Sequence, residues 1–139
     1  MLNILDCFLT GDIEMENEDK RTTKRKTGDK GEDAVIDLMR NQGYTLICRN
    51  FEIHNVGELD CVFEKGRDIY VVEVRSRRNK GNYPSSAETV DFRKRRKIER
   101  TTGYLIAKNR FYDRNIIFLV AQVTHDTSGM IKNIELIPF

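Results

Sequence analysis

Gly57-Glu58-Leu59-Asp60-Cys61-Val62-Phe63-Glu64, the turn Lys65-Gly66-Arg67-Asp68, and Ile69-Tyr70-Val71-Val72-Glu73-Val74-Arg75-Ser76 form the stretch that decides the fold. Both arms are rich in β-branched and aromatic residues, and a short glycine-containing turn joins them. That pattern predicts an antiparallel hairpin. In the first arm, alternation puts Leu59, Cys61 and Phe63 on one face and Glu58, Asp60 and Val62 on the other. In the second, Glu73 and Arg75 project together. If the arms pair, Asp60 faces Glu73, and two carboxylates and a cation share a patch of otherwise apolar sheet. Charges there are costly unless paired or liganded. Clustered carboxylate oxygens suit a hard cation such as magnesium. Such an ion lowers the pKa of a bound water and neutralises a phosphodiester, while a neighbouring cation stabilises charge on the phosphorus oxygens. The competing reading is that Glu73 and Arg75 are a structural ion pair on a sheet face.

Outward from the hairpin, Ala34, Val35, Leu38 and Met39 give the spacing of one helix face, so a helix is expected from about Asp29 to Gln42. Gly43 stands where a left-handed C-terminal cap is wanted. A strand is expected over Tyr44 to Phe51. After the hairpin comes a polar loop with Arg77, Arg78 and Lys80. Ser85 and Glu88 fit a capping box that opens a second helix running to about Lys108, bent or divided at Gly103. Asn115 to Val123 is apolar on both faces and reads as an internal strand. The turn Asp126-Thr127-Ser128-Gly129 leads into a last strand, Ile131 to Ile137. The order α-β-β-β-α-β-β describes an α/β fold with a central mixed sheet flanked by helices.

The chain has 139 residues, a length suited to one domain with its own core. Its net charge of +2 is small, so the placing of charges says more than their sum. In residues 1–27 an acidic run passes into a basic one with few apolar residues, which predicts a flexible charged tail preceding a domain at 28–139. Met15 offers an alternative first residue. No segment is long and apolar enough to span a membrane, and the N-terminus is a poor signal peptide. Cys7, Cys48 and Cys61 lack metal-ligand spacing and are odd in number, so neither a zinc site nor a disulfide framework is expected. Free thiols fit a reducing cytoplasm; Cys48 and Cys61 read as small buried hydrophobes.

Several short motifs occur in a fixed order: Gly28-x-x-Gly31-Glu32, Gly43-Tyr44, Arg49-Asn50, Gly57-Glu58-Leu59-Asp60, Val72-Glu73-Val74-Arg75, and Lys94 in the second helix. The ordered set resembles the YraN family, short bacterial proteins regarded as endonucleases. That family is similar to archaeal Holliday-junction resolvases and the wider restriction-endonuclease-like, PD-(D/E)xK, superfamily. The resemblance covers residues 28 to 139 and implies a restriction-endonuclease-like fold. It implies that Asp60 and Glu73 bind magnesium or manganese, that Glu32 reaches toward them, and that Arg75 occupies the superfamily's lysine position. Arginine stays charged and binds phosphate as a fork, so Arg75 can hold phosphate but cannot act as a base. The superfamily's proline before the first aspartate is absent, and Arg114-Asn115-Ile116 stands where the family tends to read Arg-Phe-Asp. Resolvase relatives act as dimers, so a homodimer is implied by resemblance alone.

Together these readings lead to an expected function: a magnesium-dependent endonuclease acting on DNA, with branched or repair intermediates as substrates. The alternative is a non-catalytic nucleic-acid-binding or partner-docking module on the same fold. Lys94, Arg95, Arg96 and Lys97, with Arg77, Arg78 and Lys80, are the expected phosphate contacts, which position a duplex without reading its sequence. A solvated helix face is the plainer reading of the helical run. Glu32 is also explained as a first-turn carboxylate favoured by the helix dipole. Glu58 reads as a second ligand or a surface residue. Core packing is the simpler expectation for Tyr83 and Phe92, with base stacking the alternative. His54 reads as a loop residue, and Ser85 as a helix cap.

Overall fold

Gly66 and Arg67 form the two-residue connection between strands that pair antiparallel from Lys65↔Asp68 to Cys61↔Val72. The computed structural model describes residues 23–78 and 90–139, with side chains from residue 30 onward. The element order is α1 (Thr23–Asn41), β1 (Thr45–Ile53), β2 (Gly57–Lys65), β3 (Asp68–Arg78), α2 (Phe92–Asn109), β4 (Asn115–His125) and β5 (Ile131–Pro138). The five strands form one sheet in the order β1-β2-β3-β4-β5. Only the β3–β4 pairing is parallel, because α2 carries the chain across between them. This is the expected α/β arrangement with a mixed sheet, and β4 is internal as its two apolar faces required.

Each sheet face has its own core. Val35, Ile36 and Met39 of α1 pack against Leu46, Cys61, Phe63, Val72, Leu119, Ala121 and Val123. On the opposite face Ile98 and Leu105 of α2 pack against Phe51, Leu59, Val62, Ile69, Val71 and Val120. A sheet covered on both sides buries successive residues, which is why Cys61, Val62 and Phe63 are all buried. Cys48 and Cys61 are free and buried.

Four expectations need correction. Leu59 does not share a face with Cys61 and Phe63: it packs beneath α2 with Val62, and they pack beneath α1. Alternation is broken at Asp60. Its neighbour on β1, set by the flanking pairs Arg49↔Cys61 and Phe51↔Leu59, is Asn50, whose φ of 53° is left-handed. Asparagine tolerates that conformation better than most residues, so the kink is encoded in β1. Second, α1 begins at Thr23, six residues before Asp29, in a stretch without the apolar periodicity that marks the rest; Gly43 does supply the left-handed residue after it, at φ 89°. Third, α2 opens at Phe92 with Asp91 as its cap, and it continues unbroken through Gly103. The Ser85–Glu88 box lies outside the described residues, as do Lys80, Tyr83 and residues 1–22. Fourth, Phe92 is not core: it is 72% exposed.

Candidate functional site

The β2–β3 ladder ends at Cys61↔Val72, one step before Asp60 and Glu73. Beyond that step Asp60 stands in for a strand partner: its Oδ2 accepts the Val74 backbone N–H at 2.8 Å. Glu73 remains paired on its other side to Val120 of β4 and is only 8% exposed. The hairpin therefore brings the two carboxylates together at the point where its strands part. Glu32 comes from α1 and Lys94 from α2, so opposite faces of the sheet contribute opposite charges.

Two glycines set how closely the helices approach. A methyl group at Gly31 would lie 2.5 Å from Ser76 Oγ, and one at Gly57 would lie 2.7 Å from Thr101 Oγ1 and 3.4 Å from the Lys97 carbonyl oxygen. The glycines of the Gly-Glu pairs thus let α1 and α2 sit directly on β3 and β2. Glu32 is the tenth residue of α1, so the first-turn dipole does not explain it. It is fixed by Arg49 Nη2 at 3.2 Å, while Arg49 Nη1 bonds Asp33 at 2.8 Å. Arg49-Asn50 is thereby accounted for: one residue clamps α1, and the other turns the strand at Asp60.

Burial dominates the electrostatics of Asp60. Its accepted backbone hydrogen bond contributes roughly 1.5–3 kcal/mol, less than the several kcal/mol that desolvating a carboxylate costs. The charges of Glu73 and Glu32 add to the penalty, and the Asp60 carboxyl is pushed up to about 8. Burial likewise pushes the Cys61 thiol up, with Glu32 and Asp60 reinforcing it, so this cysteine is an inert neighbour. The donors of the site are carboxylate oxygens, the set that magnesium or manganese prefers. In that sense its chemistry fits such an ion. Among the described residues, however, no three His, Cys, Asp or Glu side chains are spaced as a metal-binding group.

Glu73 forms an ion pair with Lys94, whose Nζ lies 3.1 Å from Oε1. Burial opposes the ammonium, but Glu73, aided by Asp60 and Glu58, outweighs it and raises the Lys94 pKa. Arg75 acts on Asp91, the cap of α2. The Asp91 carboxyl lies below its ordinary range chiefly because it accepts the Lys94 N–H, with Arg93 and Arg75 adding to the effect.

The other described basic residues have differing surroundings. Arg95 approaches Glu99 at 3.7 Å and the Phe139 ring at 5.7 Å. Arg96 lies 5.6 Å from the exposed Phe92 ring. Lys97 borders a surface groove with Glu52, Asn55, Gly57 and Glu58. Arg78 is exposed and Arg77 half-buried at the end of β3. Sequence reasoning quoted Arg49-Asn50 and Lys94 as motif residues without giving them a role in holding the carboxylates, and it missed Asp91. The order Arg49-Asn50 was the one available signal for those two residues.

A profile of the uncharacterised protein family UPF0102 matches residues 31–123, a span that includes Glu32, Asp60, Glu73, Arg75 and Lys94. A UPF0102 protein of Persephonella marina is 34% identical over 107 residues, covering 76% of this chain and 90% of the relative. One from Caldicellulosiruptor saccharolyticus is 31% identical over 115 residues, covering 82% and 95%. A third, from Clostridium acetobutylicum, is 37% identical over 99 residues, covering 71% and 80%. The chain belongs to the uncharacterised protein family UPF0102, the YraN family that its motifs resemble.

Proposed function

We propose that this protein is a metal-dependent endonuclease that hydrolyses phosphodiester bonds in DNA. The observation that carries the reading is the convergence of Asp60 and Glu73 where the hairpin parts, with Glu32 close enough for its charge to act on Asp60. A magnesium or manganese ion held by Asp60, Glu73 and Glu32 would supply an activated water and neutralise phosphate charge. Arg49 holds Glu32 in place, and the Val74 N–H orients Asp60. Arg75, whose charge acts on the Asp91 cap of α2, would contact phosphate as a fork. Arg77, Arg78, Arg96 and Lys97 offer further backbone contacts, and branched or repair-associated DNA is the substrate class we favour.

A second reading, a nucleic-acid-binding or partner-docking module without catalysis, has its own support. The carboxylates already have protein partners, and no metal-ready trio occurs among the described residues. The deciding experiment is a cleavage assay on linear, nicked, flapped and four-way DNA with manganese and with magnesium, run beside a manganese titration. Carboxylate-dependent metal binding and cleavage are expected. DNA binding with neither metal uptake nor cleavage would transfer the assignment to the module.

A further inference from the structure

The first turn of α2 breaks a local rule. It carries Arg93, Lys94 and Arg95 and no acidic residue, although a helix N-terminus favours anions and disfavours cations by roughly 0.3–1 kcal/mol each. The Asp91 cap offsets part of that cost. The position of Lys94 is explained by what it reaches: Glu73 Oε1 at 3.1 Å, with Asp60 and Glu58 acting on the same ammonium. The pair is lopsided, since the Glu73 side chain is 9% exposed and that of Lys94 44%. The carboxylate sits on an internal strand and is fixed; the ammonium ends a flexible, readily hydrated stem that opens to solvent. The backbone beneath it is pinned by the Asp91 cap and by the close approach at Gly57, so only the side chain is free to exchange partners.

We propose that Lys94 is the exchangeable counter-ion of this site: it holds Glu73 while no divalent cation is bound, and it passes to the phosphate backbone of the nucleic acid once one is. The inference rests on the reading of Asp60 and Glu73 as metal ligands. It gives this chain, which has Arg75 at the superfamily's lysine position, a lysine delivered to the site from the helix. A divalent ion and the Lys94 ammonium compete for the same carboxylate oxygens, and like charges repel at this range. Removing the ammonium therefore strengthens metal binding.

The test is calorimetric manganese titration of the full chain as wild type, Lys94→Gln and Lys94→Arg, with circular dichroism to confirm folding. Lys94→Gln is expected to bind manganese roughly tenfold more tightly, which corresponds to about 1.4 kcal/mol. Lys94→Arg, which keeps a cation on Glu73, is expected to bind like the wild type. Equal or weaker binding by a folded Lys94→Gln overturns the proposal while leaving the metal site intact; absence of manganese binding in every protein, Lys94→Gln included, overturns both. A second measurement needs no variant. Acetylation of Lys94 in the wild type, followed by mass spectrometry, should accelerate several-fold when manganese is added without DNA, and DNA should then suppress it. An unchanged rate on adding manganese overturns the exchange.

Discussion

The two halves of the β2–β3 hairpin use their side chains in opposite ways. From Lys65↔Asp68 to Cys61↔Val72 the backbone ladder is complete, and Phe63, Val62, Val71 and Val72 are buried between the two helices. One residue further, the ladder stops, and the Asp60 carboxylate takes the Val74 N–H. The closed half satisfies its backbone with backbone and spends its side chains on packing. The open half satisfies backbone with a carboxylate, and the surrounding charges come from α1, β1 and α2. A strand pair can thus provide a rigid support and a cluster of buried carboxylates in one short hairpin.

The contrast predicts separable effects. The largest should come from the open half: Asp60→Asn and Glu73→Gln should each lower cleavage by at least about 10²-fold, the scale on which single groups that stabilise transition-state charge act. Both should also abolish manganese binding in the titration, with the fold retained by circular dichroism. In the closed half, Phe63→Ala should cost about 3–5 kcal/mol in urea denaturation, yet the protein that remains folded should bind manganese with unchanged affinity. Loss of metal binding there would erase the division between the halves.

A third prediction concerns pH in chelator-treated protein. The Asp60 carboxyl titrates near 8 in the folded chain against an ordinary value of 3.8. The folded state therefore holds a proton that the unfolded state has released. The stability this proton contributes is fully present below 3.8 and is lost as pH rises through 8. Thermal midpoints should fall between pH 5 and about 9, and Asp60→Asn should flatten that fall and melt higher than the wild type at the alkaline end. Parallel profiles for the two proteins would place the titration elsewhere. The smallest effect is expected at the helix contact. Gly57→Ala should cost about 1–3 kcal/mol through overpacking, since the added methyl meets Thr101 and the Lys97 carbonyl. A neutral result would show that α2 has room to withdraw.

The sequence carried the element order because β-branched runs, glycine turns and helical periodicity are local signals. It also carried the approach of Asp60 to Glu73, since a two-residue turn fixes the register as far as Cys61↔Val72, next to both. It did not reveal that Leu59 and Cys61 face opposite helices, because strict alternation assumes a strand without a kink, and the cause lies across the sheet in Asn50. The start of α1 was missed because Thr23 to Gly28 has no apolar face to read. Glu32 looked like a first-turn residue for the same reason. The Lys94–Glu73 and Arg49–Glu32 contacts join residues far apart in sequence, and a run of basic residues does not say which member turns inward.

The single parallel pairing, β3 with β4, bears on how the site is assembled in time. Asp60, Glu73 and the Arg49 strand belong to a three-strand meander of neighbouring segments, whose loops close at little entropic cost. Joining β4 to β3 requires the whole α2 crossover, and non-local pairings of this kind slow folding. The carboxylates are therefore expected to meet early, and the lysine that neutralises Glu73 to arrive with the later docking of α2. Until then Glu73 lacks the Lys94 ammonium and stands beside Asp60 without that partner, so divalent ions in the refolding buffer should speed the formation of the native chain.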